Sequence, residues 1–312
     1  MIIGHKDQLK KLRLAVSQDR LANAYLFIGP DGIGKKLVAV EFAKGLFCNN
    51  GIADCNCSSC QRIEHKTHPD VLFVSVEEDK KDISIEQMRE MQSKVQMHSF
   101  EGKYKVIIVD DAEKMNAASS NSILKILEEP PKATHFILIT SRPHMLLPTI
   151  VSRCQRIQFT LPPSDEMISF ICKKRGCDET TAKLLSKITC GSLGQAVDFP
   201  IEVMNEALEN IKRLWSSPSP SEIISTAERW GKGENPSAIL STLIAVYNDI
   251  LIYQTTKKEP SFSTSSKEIK ILAENRSYSS IQNHIQHLLQ AQQEIEATYN
   301  KQLMFEDLLF RL

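Results

Sequence analysis

Gly29-Pro30-Asp31-Gly32-Ile33-Gly34-Lys35-Lys36 has the spacing of a phosphate-binding loop with one residue changed. In the pattern G-x-x-x-x-G-K-[ST], glycines let backbone N–H groups close around phosphates. The lysine reaches the β- and γ-phosphates, and the final hydroxyl ligates Mg²⁺. Gly29, Gly34 and Lys35 are in place, Gly32 adds a glycine between them, and Lys36 stands where the hydroxyl belongs. An ammonium has no lone pair for a metal ion. It also puts positive charge at the positive end of a helix dipole. Two outcomes stay open for ATP or ADP: nucleotide held by backbone amides and Lys35 without Mg²⁺, or none held at all. Mg²⁺ at this site and efficient hydrolysis are not expected.

Other residues bear on the same chemistry. The run Lys105–Asp110 reads as a strand ending in acid, with Asp110 as the candidate Mg²⁺ ligand and Asp111 as the group that polarises water. Many ATPases carry Glu in the second position. Asp is one methylene shorter, about 1 Å, and misplacement of that order costs roughly 10²-fold in rate. Read alone, the pair is equally two solvated acids at a strand end. Thr140 closes another strand and reads either as a sensor of the γ-phosphate or as an ordinary strand-end threonine. Arg153, in Ser152-Arg153-Cys154, is by itself a surface arginine.

Cys48, Cys55, Cys57 and Cys60 lie within thirteen positions. Four thiolates so close can wrap one tetrahedral Zn²⁺. The residues between them are too polar to hold themselves by a core, and a metal would supply that stability. The single residue between Cys55 and Cys57 is tighter than the usual C-x₂-C, and His65 or His68 is an alternative ligand. The other four cysteines (154, 172, 177 and 190) are scattered. A site closed by four sulfurs is structural, not catalytic.

The elements that must position these groups show in the hydrophobic pattern. Apolar runs at 25–28, 71–76, 105–110, 135–140 and 156–159 alternate with helical patterns, which predicts a parallel α/β sheet. Ser84 with Gln87 three residues on forms a capping box ahead of Ile85, Met88, Met91 and Val95. A helix through Ala118, Ile123, Ile126 and Leu127 is stopped by Pro130-Pro131. After Pro162-Pro163 strand signals vanish. Stripes at Ile201, Met204, Leu208, Ile211 and Trp215, and at Ile239, Leu243, Val246, Ile250 and Tyr253, predict helices, with breaks at 216–221 and 257–267. The expected division is an α/β domain over 1–161, a small helical lid over 162–199 and an all-helical domain over 200–312.

At 312 residues, two or three domains are the prior. A 42% hydrophobic and 24% charged composition is that of an ordinary globular protein, and zero net charge excludes a polyanion binder of the histone type. No membrane span is expected. The N-terminal residues lack a secretory signal, which points to the cytoplasm, and eight cysteines there argue for metal or free thiols.

One ordered set of segments resembles bacterial clamp-loader subunits of DNA polymerase III, of the AAA+ class. It runs from Ala24-Tyr25-Leu26-Phe27 before the loop, through the cysteines and Thr67-His68-Pro69-Asp70, to Val106–Asp111. It continues with Asn121-Ser122-Ile123-Leu124-Lys125 into Leu127-Glu128-Glu129-Pro130-Pro131, and ends with Ser152-Arg153-Cys154. The departures at Lys36 and Asp111, and Gln195 where the family often has arginine, resemble the delta-prime type and not the hydrolysing gamma/tau type. The resemblance implies a RecA-like P-loop sheet with a zinc insert, a lid and a C-terminal collar that packs with other subunits, burying the helical stripes. It also implies that Arg153 acts in trans, as an arginine finger on ATP held by a neighbouring subunit. The implied partners are gamma/tau and delta subunits and, through the assembly, the sliding clamp and primer-template DNA. An active gamma/tau-like ATPase is the second reading. A zinc-dependent nucleic-acid binder of unrelated type is the third, and neutral charge counts against it.

Overall fold

Four of the five strands are runs rich in Val, Ile, Leu and Phe, because such residues fill both faces of a buried sheet, whereas the fifth, at 155–158, buries only Ile157. The computed structural model describes residues 2–48, 55, 57–78, 80–101, 103–216, 218–262, 266–295, 298 and 300–312. Outside them fall 49–54 and 56 of the cysteine segment, 217 of one expected break and 263–265 of the other. The chain divides into two compact units, Met1–Glu166 and Met167–Leu312.

The first unit runs α1 (Lys6–Ser17), β1 (Ala24–Ile28), α2 (Lys35–Phe47), α3 (Ser58–Glu64), β2 (Val71–Val74), α4 (Ile85–Gln96), β3 (Lys105–Val109), α5 (Ala117–Glu128), β4 (Thr134–Thr140), α6 (Pro148–Arg153) and β5 (Gln155–Gln158). The sheet is parallel throughout, in the order β2-β3-β4-β1-β5. Alternate residues of each central strand serve opposite cores. Leu26, Ile107, Val109, Phe136 and Leu138 join Met88, Met91, Ile123 and Ile150 on one face. Tyr25, Phe27, Val106, Ile108, Ile137 and Ile139 join Leu12, Val38, Phe42 and Ile63 on the other. Helices thus cover both faces, and the strand C-termini share one edge, where such folds place ligands.

Local signals hold. Ser84 Oγ accepts from Gln87 N at 3.3 Å, and Gln87 Oε1 accepts from Ser84 N at 2.9 Å, completing the predicted box. Helix α5 ends at Glu128, and Glu129 caps it directly before Pro130. Strand β2 stops at Val74, two residues short of the expected 71–76, and β5 starts one residue early, at Gln155.

The second unit is all helical: α7 (Ser164–Arg175, which starts before the boundary), α8 (Glu179–Ile188), α9 (Leu193–Asp198), α10 (Ile201–Trp215), α11 (Pro220–Lys232), α12 (Pro236–Thr256), α13 (Ser266–Asn275), α14 (Tyr278–Glu294) and α15 (Lys301–Arg311). The apolar stripes are not kept for other subunits. Met204, Leu208 and Ile211 of α10 and Ile239, Leu243, Val246 and Ile250 of α12 are buried within this chain, because α12 packs against α10, α13 and α14. The apolar side chains left exposed are others, among them Ile224, Ile271, Leu289, Leu303 and Phe310. Helix α12 is long and apolar enough to cross a membrane, against the expectation that no apolar run has that length. More than half of its most apolar stretch is buried inside the protein, as in a core helix.

Asp249 of α12 ties α8 to this core. Its carboxylate is almost fully buried, pairs with Lys187, and accepts from Ser261 N at 2.6 Å and Phe262 N at 3.2 Å. Asp249→Ala would leave two amide donors unpaired and Lys187 with Ser261 Oγ, at 2.6 Å, and water. We expect a loss of about 3 kcal/mol in urea unfolding of the full chain, with Asp249→Asn milder; wild-type stability in both would contradict this account.

Candidate functional site

The loop at 29–34 leaves β1 and enters α2 at the C-terminal edge of the sheet. Gly29 is required by close packing. A Cβ there would lie 2.5 Å from the carbonyl oxygen of Phe159, just beyond β5. Gly34 has φ 102° and caps α2, a conformation L side chains rarely adopt. Gly32, at φ 69°, completes the curve. From below, His5 Nε2 donates to Ile33 O at 2.8 Å, and the His5 ring meets Phe159 edge-on at 5.1 Å.

Two side chains of the motif bond back onto its own backbone. Lys35 Nζ turns back to donate to Gly29 O at 2.7 Å and Pro30 O at 2.6 Å. Burial lowers its pKa, opposed by the negative charges of Asp31, Glu113, Asp110 and Asp111. Asp31 Oδ1 accepts from Gly32 N at 2.8 Å, so a carboxylate of the chain already engages an amide of the anion cradle.

Lys36 and Asp110 meet directly. Lys36 Nζ lies 2.8 Å from Asp110 Oδ2, with both side chains only partly exposed. In a working site the residue at position 36 and the acid at 110 would both ligate one Mg²⁺. Here a monovalent ammonium bridges the gap, and Asp110 is spent on it. Asp111 adopts the left-handed conformation (φ 51°) and pairs with Lys114 at 3.0 Å. Thr140 is buried, and its Oγ1 accepts from Arg142 N at 3.0 Å.

Sequence reasoning missed Asp31, His5 and Glu113. Glu113 Oε1 accepts from Ser141 Oγ at 2.7 Å and Ser141 N at 3.1 Å. Burial pushes Glu113 up, but hydrogen bonds from Ser141 and Thr140 hold it below the usual carboxylate range. The available signal was a third acid in the run Asp110-Asp111-Ala112-Glu113. Gln195 is exposed on α9.

Arg153 is the last residue of α6 and is part-exposed. Its Nη1 donates to Thr149 O at 2.9 Å, and its Nη2 donates to Glu128 Oε1. Its neighbour Cys154 is buried in the core, so the turn is anchored while the guanidinium stays outside.

The four clustered cysteines converge. Their sulfurs all lie within 4.8 Å of one another. A tetrahedral ion with bonds of about 2.3 Å needs sulfur separations of about 3.8 Å, and Cys48–Cys55 and Cys55–Cys60 stand at 3.1 and 3.7 Å. Cys48 follows α2, Cys57 caps α3, and Cys60 lies in its first turn, where burial pushes its thiol up. The Cys60 amide and neighbouring thiols hold Cys57 down at about 7. These residues can hold a metal ion without help from histidine. His68 faces elsewhere: its Nδ1 accepts from Asp70 N at 3.2 Å and its ring lies 4.5 Å from Phe47. The segment Thr67–Asp70 serves the module's footing. Buried Asp70 accepts from Phe100 N and Glu101 N, both at 2.8 Å, while Arg62 of α3 pairs with Glu101.

Comparison with known proteins agrees with this geometry. A family described as DNA polymerase III, delta subunit, matches residues 4–163, and its C-terminal counterpart matches 202–312. The chain is 30% identical to DNA polymerase III subunit delta' of Bacillus subtilis, covering 97% of this chain and 94% of the relative. It is 26% identical to subunit tau of the same organism, over 98% of this chain but 59% of that longer protein. A solved DNA polymerase III gamma subunit-related protein from Thermotoga maritima shares the fold, with a TM-score of 0.51 at 21% identity, covering 97% of this chain and 98% of that one.

Cys60→Ser removes a buried thiol from the group that could hold a metal ion. Elemental analysis of the purified chain is expected to fall from about one metal equivalent toward none, with a lower Tm. Unchanged metal content in the variant would overturn the four-cysteine site.

Proposed function

The chain belongs to the DNA polymerase III delta and delta-prime subunit family, and from that premise we propose that it is a delta-prime-type clamp-loader subunit without ATPase activity of its own. The Lys36–Asp110 contact carries this reading. Hydrolysis of a nucleotide triphosphate depends on a divalent ion that bridges the β- and γ-phosphate oxygens and neutralises developing charge. An ammonium salt-bridged to the acid cannot take that place. Asp111, the group that would polarise water, is drawn aside to Lys114. The phosphate lysine is folded back on its own loop. Each change removes a different part of the catalytic apparatus.

What the chain contributes is Arg153. A guanidinium that crosses an interface stabilises the charge spread over a transferring phosphoryl group, an effect worth about 10³–10⁵ in rate. The chain then completes a site that burns ATP elsewhere. Its partners in this reading are gamma/tau- and delta-type subunits in the cytoplasm, with the sliding clamp and primer-template DNA engaged through the assembly. The metal of the cysteine module is Zn²⁺, which four thiolates suit best. It joins the end of α2 to α3 and does no chemistry. A gamma/tau-like motor would need the Lys36–Asp110 pair to open and admit Mg²⁺. Family membership removes the third reading, an unrelated nucleic-acid binder.

The isolated chain is expected to show negligible ATP turnover, and brisk turnover would end the proposal. Lys36→Thr is expected to introduce Mg²⁺-dependent nucleotide binding, read with a fluorescent ATP analogue, while hydrolysis stays absent. In an assembly reconstituted with gamma/tau- and delta-type partners, Arg153→Ala is expected to slow single-turnover hydrolysis by about 10³-fold at the site it completes. Wild-type rates there would remove the role in trans.

A further inference from the structure

The segment Asn121–Pro131 has so far explained a helix and its stop, but it ends on the carboxylate that holds Arg153. Glu128 is the last residue of α5, and its Oε1 accepts from Arg153 Nη2. A carboxylate at a helix C-terminus faces the negative end of the dipole, so helix stability gives no reason for an acid there. Arg153 ends α6, where a cation is favoured. Two helix ends thus converge with opposite charges.

Both ends are firmly anchored. Ile123 and Leu127 of α5, Ile150 of α6 and Cys154 beside it are buried in one core. Pro130-Pro131 prevents α5 from running on, which keeps Glu128 in its final turn. Thr149 O takes a second guanidinium N–H at 2.9 Å. Of the five N–H donors of an arginine, two are held by these contacts. Three remain for an incoming phosphate. The side chains of Arg153 and Glu128 are 33% and 50% exposed, so the pair is open to a neighbouring molecule.

We propose that Glu128 is the positioning residue of Arg153: it fixes the reach and orientation of the guanidinium before a neighbour's triphosphate arrives. This rests on the reading of Arg153 as acting in trans. Long side chains lose much freedom when they engage a ligand, and orientation set in advance removes that cost from the reacting step. Glu128 touches no reacting atom and acts only through Arg153. Its loss therefore falls on kcat and leaves the KM for ATP, which is set by the neighbour's own pocket.

The test uses the full chain reconstituted with gamma/tau- and delta-type partners, comparing wild type with E128A, E128Q, R153A and the double variant E128A/R153A. E128A is expected to lower kcat about tenfold with KM within twofold. E128Q keeps an acceptor of the same reach and is expected to recover at least half of the lost rate. The double variant is expected to be no slower than R153A alone. A wild-type kcat for E128A, or a further tenfold loss when E128A is added to R153A, overturns the positioning role. A slow R153A with a normal E128A sinks this inference alone. A normal R153A sinks the reading in trans, and this inference with it. Thermal melting and gel filtration of the assembly check that each variant folds and assembles. Should E128A fail them, E128D carries the test, because its carboxylate is one methylene short of the guanidinium: a kcat at least twofold below wild type, absent in the R153A background, supports the role, and a smaller loss refutes it.

Discussion

One ammonium, Lys36 Nζ, rests 2.8 Å from Asp110 Oδ2 at the edge of the sheet. Much else in the first unit serves to bring those two groups together. Position 36 opens α2 after β1, and Asp110 follows β3, which is separated from β1 by β4. The parallel order sets all three strand ends on one edge, so residues 74 positions apart in sequence become neighbours. The same juxtaposition, with a hydroxyl in place of the ammonium, would coordinate a divalent ion. The change is therefore small in structure and large in chemistry. The backbone cradle persists because Gly29 packs under Phe159 and Gly34 turns the chain into α2, needs that hold whether or not phosphate ever enters.

The neighbouring acids follow the same logic. Each carboxylate near the loop has found a partner from the chain itself: Asp31 an amide, Asp110 and Asp111 lysines, Glu113 a serine hydroxyl and amide. A pocket built to place negative phosphate beside acids needs metal to relieve the repulsion. Protein cations and donors do that work here. The rigidity needed for any action across an interface comes from the sheet, from the α5–α6 core, and from the cysteine module footed on Asp70 and Arg62.

Much of this was legible in the sequence because the signals are local. Strand runs, the Ser84–Gln87 box and the Pro130 stop depend on residues a few positions apart, and each appears where expected to within one or two residues. The cysteine cluster was legible for the same reason. The pairing choices were not. Whether α10 and α12 turn their stripes inward or toward another subunit depends on which helices lie against them, and pattern alone does not distinguish the two. His68 looked like a ligand by proximity in sequence, yet its ring is committed to Asp70 and Phe47.

The sequence by itself determined that the phosphate loop had lost its hydroxyl, since residue type alone decides whether an oxygen is available to a metal. It also determined the alternation that makes the sheet parallel and the four thiols that converge. Only the tertiary structure decided what stands in place of the hydroxyl and its metal: which acid Lys36 meets, where Lys35 points, and that Glu128 holds Arg153. Those are contacts between residues dozens of positions apart, and only the packing of strands and helices sets the distances at which unlike charges meet.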